Sequence, residues 1–358
     1  MTSARALNKL RGSILDWYRK HRRDLPWRRT RDPYAIWVSE VMLQQTRVEA
    51  AIPHYERFLA RFPTLAALAG AQEADVLAAW SGLGYYRRAR NLQSAAAEVV
   101  REHGGRVPED PEALRSLPGV GVYTAAAIAS VAYGRTAAAV DGNVIRVLAR
   151  IHGLKGRRDA PSLRRGVESA ARELAHGPDP GDWTQALMEL GALVCLPREP
   201  RCGECPASRW CAARASGNPS RYPAPAKAAE PSAPKRRLLL VARRASSVLL
   251  VPNRISGTNG WTLPVSDVPS HTGRAAARRL ADSLFRKTPA VELRARFRHR
   301  TYSEDLQFQV WEAAAPIGLR RDTAGRWVGY RELGRLPLRG PTLKALKRLA
   351  KGDGEPKS

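Results

Sequence analysis

The stretch Leu117-Pro-Gly-Val-Gly-Val-Tyr-Thr-Ala-Ala-Ala-Ile-Ala-Ser130 decides how the first half of this sequence folds. Gly119 and Gly121, separated by one apolar residue, let the backbone approach a ligand closely and turn its amides outward. The alanine-rich run from Val122 starts a helix, and amides at a helix N-terminus favour a phosphate without reading sequence. Gly119, Gly121 and Val122 are therefore candidate contacts to a phosphate. In isolation, an ordinary tight turn between helices is the commoner meaning of such a pair.

Working outward, Glu73–Trp80, Arg88–Glu102, Tyr123–Tyr133 and Leu163–Leu174 are rich in Ala, Leu, Glu and Arg, with helical spacing of apolar positions. Short turns separate them, and strand alternation is absent. A proline-rich linker is expected at 218–235. Beyond it come short β-type runs at Arg237–Ala242, Ser247–Pro252, Leu293–His299, Leu306–Ala313 and Arg326–Gly329, with helices at Arg274–Arg286 and Thr342–Ala350. The organisation predicted is a helical domain over 1–217, the linker, an α+β domain over 236–350 and a tail at 351–358.

The 358 residues carry 60 Lys and Arg against 33 Asp and Glu, a formal charge of +27. Residues 231–358 contribute +16 of this and residues 1–230 the other +11. Such an excess suits a polyanion, most often nucleic acid, although simple solubility would also account for it. No run of about 18 apolar residues suggests a membrane span, and Met1 to Leu15 has no apolar signal core. A cytoplasmic, nucleoid-associated protein is expected.

All four cysteines, Cys195, Cys202, Cys205 and Cys211, fall within seventeen residues. Four thiols so close in sequence argue for one tetrathiolate centre rather than disulfides. Zinc sites commonly show two matched C-x2-C pairs, and only one is present. The irregular C-x6-C-x2-C-x5-C spacing fits a [4Fe–4S] cluster better, with zinc as the competitor.

Two carboxylates stand out. Glu40, in Trp37-Val-Ser-Glu-Val-Met-Leu-Gln-Gln-Thr46, is surrounded by apolar residues that could raise its pKa and let it hold a proton near neutrality. Most helical glutamates are simply solvated. Asp141, in Val140-Asp-Gly-Asn-Val-Ile-Arg146, precedes an apolar-periodic run and could serve as a helix N-cap.

Together these motifs resemble the endonuclease III superfamily of DNA glycosylases, with its helix-hairpin-helix and cluster loop. The Glu40 segment is similar to that of the adenine DNA glycosylases of the MutY type. The resemblance implies a monofunctional enzyme of base-excision repair that removes adenine mispaired with 8-oxoguanine or guanine. Glu40 would protonate the base, Asp141 would stabilise the sugar cation or a covalent intermediate, and Tyr123 and Asn143 would assist them. Arg23, Leu25, Trp27, Leu43 and Gln185 would line the base pocket, while Gln45 and Tyr85 would wedge into the duplex. Tyr123 stands where bifunctional relatives have a Schiff-base lysine, so strand cleavage by that route should be weak or absent.

The C-terminal part resembles the Nudix-like domain that recognises 8-oxoguanine in this family, through Gly260-Trp-Thr-Leu-Pro264 and Arg298-His-Arg-Thr-Tyr-Ser-Glu304. Tyr302 and Ser303 would contact the oxidised base, with Glu304 where the family commonly has histidine. With Asp282 its single acid, the helix beginning near Gly273 should not hold Mg²⁺ for nucleotide hydrolysis. Double-stranded DNA is the expected partner of a monomer that passes abasic sites to downstream enzymes. The alternatives are a relative specific for thymine or oxidised pyrimidines, and a non-catalytic DNA-binding or redox-sensing protein.

Overall fold

The structure is a computed structural model. It describes residues 4–226, 234–253, 260–268, 273–300, 304–314, 317–336 and 338–350. Tyr302 and Ser303 lie outside them. The chain divides into two compact units, Met1–Gly70 with Asn91–Ala229, and Ala71–Arg90 with Glu230–Ser358.

Among the described residues the first unit is built from helices α1 (Ala4–His21), α2 (Pro33–Leu43), α3 (Val48–Arg61) and α4 (Leu65–Ala69). After α5 (Glu73–Ala79), which belongs to the second unit, come α6 (Arg87–Glu102), α7 (Pro111–Ser116), α8 (Val122–Tyr133) and α9 (Gly142–Ile151). The series closes with α10 (Pro161–Ala175), α11 (Pro180–Leu193) and α12 (Ala212–Ala215). Local chemistry sets the ends that matter for the site. Asp32 caps α2 by accepting from the amides of Tyr34 and Ala35, and Pro33 supplies a preformed first turn. Gly134, at φ 64°, ends α8 in the left-handed conformation that glycine adopts without strain. Eight of the eleven residues of α2 are buried, as expected of a helix apolar on every side. Leu10, Ile14, Tyr18, Val147, Leu148, Leu187 and Leu190 help form a core that ties α1 to α9 and α11.

Part of the segment read as a linker packs on this unit. Pro219–Arg221 form a 3-10 turn. Ala224 exchanges backbone bonds with Gly156 and Arg158, at 3.0 and 2.9 Å.

In the second unit a mixed sheet has the order β3 (Gly260–Thr262), β2 (Ser247–Asn253), β1 (Lys235–Arg244), β7 (Asp305–Ala313), β6 (Val291–Arg300). Strands β4 (Val265–Asp267) and β9 (Arg326–Gly329) pair with β1 and β2. Alternation along β1 supplies both faces. Leu238 and Leu240 pack with Ala277, Ala281 and Leu284 of α13 (Gly273–Leu284). Leu239 and Val241 join Phe308, Val310 and Ala345, the last on α14 (Gly340–Ala350). The same unit includes Ala71–Arg90, where the Tyr86 hydroxyl donates to the Leu338 carbonyl.

Arg274–Arg286 is not all helix. After Leu284 the chain extends into β5 (Phe285–Lys287), which pairs with β8 (Ile317–Leu319) and buries Phe285 completely. Three-residue strands are too short to show alternation in sequence.

Candidate active site

A cavity of about 410 Å³ in the first unit gathers all the residues expected to do the chemistry and to line the base pocket. Glu40, Tyr123, Asp141 and Asn143 line it, as do Arg23, Leu25, Trp27, Leu43, Gln45 and Gln185. The elements that deliver them are the 3-10 turn Pro26–Arg28, the end of α2, the starts of α8 and α9, and one face of α11.

Glu40 is the only acidic or basic residue of α2. Burial pushes its carboxyl up to about 7. A hydrogen bond from Tyr123 and the charge of Arg28 oppose that shift, and the nearby Asp141 reinforces it. The Tyr123 hydroxyl is itself held well above its ordinary pKa, first by burial and then by the two carboxylates. It therefore remains a proton-bearing donor.

Asp141 does cap α9. Its Oδ1 accepts from the amides of Asn143 (2.9 Å) and Val144 (2.7 Å), and its Oδ2 from the Asn143 side chain (3.1 Å). Asn143 Oδ1 in turn accepts from Arg146 at 2.8 Å, and Arg146 donates also to the carbonyls of Gly191 and Cys195. Gly191 has no room for a side chain, because a Cβ there would lie 2.6 Å from that of Asn143. The carboxylate is thus fixed through its own backbone and through α11.

Arg28, Met188 and Glu189 also line the cavity and were not singled out by sequence. Glu189 on α11 is 1% exposed and takes bidentate bonds from Arg23 (3.0 and 2.8 Å) and Arg28 (2.8 and 2.9 Å). Burial acts to raise its pKa, but the two guanidinium groups outweigh it and hold the carboxyl down at about 2. Met188 completes the wall, its sulfur 3.7 Å from the Tyr123 hydroxyl. The signal for Glu189 was the same as for Glu40: one acid inside an apolar helical run.

Gly119 has φ 76°, and a Cβ there would collide with Asn91, so the turn requires glycine. Gly121 caps α8, and Val122 beside it is 60% exposed, unusual for valine. The wedge candidates share another feature. Gln45 and Tyr85 both hold positive φ, 59° and 48°, which costs a non-glycine side chain free energy and is often found at functional positions. Both are exposed, and Tyr85 carries the Arg88 guanidinium over its ring.

Cys195, Cys202, Cys205 and Cys211 all line one small space in the first unit. Burial pushes Cys205 up to about 12 and raises Cys211, so as free thiols they would stay protonated. The amides of Ala207, Ala213 and Arg214 act against that shift, and Arg150 donates to the Cys195 sulfur at 3.3 Å. Donors aimed at sulfur suit thiolate ligands. Among the described residues no three His, Cys, Asp or Glu side chains form a group for a single metal ion.

This helical architecture and its acid-lined cavity define a class. The family described as HhH-GPD superfamily base excision DNA repair protein matches residues 38–173. A solved thermostable thymine-DNA glycosylase aligns with 59% of this chain and 99% of its own, at 32% identity and a TM-score of 0.53. An endonuclease III trapped on DNA, at 24% identity and a TM-score of 0.50, shares the fold over 61% of this chain and 99% of its own. Among curated relatives, the adenine DNA glycosylase of Mycobacterium tuberculosis is 46% identical over 58% of this chain and 68% of its own length. The human adenine DNA glycosylase is 47% identical over 57% of this chain, which spans only 39% of that relative. The chain belongs to the adenine DNA glycosylases within the HhH-GPD superfamily.

Proposed function

We propose that the protein is a monofunctional glycosylase that hydrolyses the N-glycosidic bond of adenine mispaired with 8-oxoguanine or guanine in double-stranded DNA. The observation that carries this reading is Glu40, a carboxyl held near 7 in the same cavity as the fixed carboxylate of Asp141. Reaching the bond requires the adenine to leave the stack and enter the cavity. Glu40 then donates its proton to the base nitrogen, so that adenine departs neutral. Positive charge developing on the sugar is met by Asp141, which Asn143 and the α9 amides hold in place. This divides the work between two carboxyls as glycosidases do. Water adds to the sugar, and the Glu40 carboxylate is placed to accept the proton released. No lysine lines the cavity among the described residues, which supports hydrolysis without a Schiff base.

The four cysteines would hold a [4Fe–4S] cluster, which supplies a template that keeps the loop 195–211 folded. Cys202→Ser should remove visible absorption near roughly 400 nm. A zinc-loaded colourless protein would count against the cluster.

The α+β unit fits a Nudix-like reader of the oxidised base, with Tyr302 and Ser303 as its contacts. Glu304 pairs with Lys235 at 2.7 Å, which offsets its charge. Adenine opposite 8-oxoguanine should be preferred over adenine opposite guanine, and equal single-turnover rates and affinities would overturn that. The proposed monomer works on DNA in the cytoplasm and passes the abasic site to other repair enzymes. No described helix is long and apolar enough to cross a membrane.

The deciding experiment is Glu40→Gln on a duplex with adenine opposite 8-oxoguanine. Release of adenine should be abolished while duplex binding stays near wild type. Undiminished release would remove Glu40 as the proton donor.

A further inference from the structure

The second unit carries a basic groove of about 720 Å³ that the chemistry above does not use. It lies on the sheet face that α13 covers only in part. Across three neighbouring strands the register aligns Arg236 on β1, Gln307 on β7 and Arg298 on β6, and beside them Gln309 on β7 with Arg296 on β6. Arg274, in the first turn of α13, closes one side. No aspartate or glutamate lines the groove among the described residues.

The charge is not fully compensated within the unit. Arg298 donates to Asp305 at 2.7 Å. Arg274 and Arg296 are exposed and make no ion pair among the described residues. Gln309 is oriented by Trp311, whose indole N–H donates to Gln309 Oε1 at 2.9 Å, so the Gln309 amide nitrogen is left as a donor. Gly273 permits this arrangement, because any side chain there would run into Gln309 Oε1.

The occupant follows from shape and chemistry. The groove spans three strands, about 10 Å, and Arg296 and Arg298 stand about 6.7 Å apart along β6. That is an extended row of donors. The aromatic rings nearby are not available for stacking, since Phe297, Phe308 and Trp311 are 6%, 3% and 7% exposed. A nucleobase would find no platform, whereas phosphate oxygens would find guanidinium and amide donors. We propose that this face is a sequence-independent contact for the phosphodiester backbone of duplex DNA. It rests on the reading of the protein as a DNA glycosylase, and it adds a second backbone site to the glycine turn at Gly119–Gly121.

The test compares the full-length protein with Arg274→Ala/Arg296→Ala and with Arg274→Lys/Arg296→Lys on an undamaged duplex. Affinity is measured by fluorescence anisotropy across a salt series. Each lost phosphate contact should make the slope of log K against log salt shallower by about 0.9, so the alanine pair should lose about 1.8. Its affinity near 0.1 M salt should fall about tenfold or more. The lysine pair should keep a near wild-type slope. Single-turnover adenine release at saturating enzyme should be unchanged in both, since neither arginine lies in the cavity. An alanine pair with wild-type affinity and slope would overturn the proposal. So would stoichiometric micromolar binding of ATP, lost in the alanine pair while the DNA slope stays unchanged, because the groove would then be a mononucleotide site. Failure of the wild-type protein to release adenine would refute the catalytic reading, and the slope comparison would still decide this one.

Discussion

In the proposed mechanism Glu40 couples catalysis and stability to the same proton. Its carboxyl sits at about 7 in the fold against an ordinary 4.5. As a general acid it must be protonated, so single-turnover adenine release should fall as pH rises through about 7. A flat profile from about pH 6 to 9 would contradict that role. Stability follows the same sign. The raised pKa means the fold binds a proton more tightly than the unfolded chain, so the contribution is complete below about 4.5 and lost as pH rises through about 7. Glu40→Gln removes the buried charge. It should therefore gain stability relative to wild type at pH 8, by roughly 2–3 kcal/mol, and gain little at pH 4.5. Urea denaturation at the two pH values checks this. Glu40 and Asp141 were legible in the sequence because each sits inside a distinctive local string. The role of Glu189 was not, although it carries the same one-acid signal, because it meets Arg23 and Arg28 across 166 and 161 residues.

At the scale of elements, α9 and α11 do most of the positioning. Asp141 is at once the cap of α9 and the proposed stabiliser of the sugar cation, and the two roles separate by mutation. Asparagine caps helices about as well as aspartate, so Asp141→Asn should change stability by only about 0.5 kcal/mol while adenine release collapses. Asp141→Ala should lose the cap as well, costing about 1 kcal/mol in thermal or urea unfolding. On α11 the buried Glu189 holds two guanidinium groups. Glu189→Gln would leave those charges uncompensated, with an expected loss of about 3 kcal/mol. Because the Glu189 carboxyl is depressed to about 2, its contribution is present above about 4.5 and lost as pH falls through about 2. The long helices were read well because amphipathic periodicity persists over several turns. The short strands β3, β4, β5 and β8 escaped because three residues carry no period, and only pairing with remote partners makes them strands.

For the whole molecule, the net charge of +27 first suggested only a polyanion. The structure places part of that charge in an arginine row on a sheet, while the proposed base chemistry falls to a cavity lined by three acids, Glu40, Asp141 and Glu189. The linear order of the domains gives an incomplete picture of the fold. Ala71–Arg90, deep within the helical half of the sequence, groups with Glu230–Ser358, and Tyr86 is only 9% exposed with its hydroxyl on Leu338. During synthesis this early segment must therefore wait for nearly the entire chain before it finds its partners. A truncation that ends within the proline-rich segment should leave 71–90 as the first site of proteolytic nicking, with cleavage there slow in the full chain and fast in the fragment.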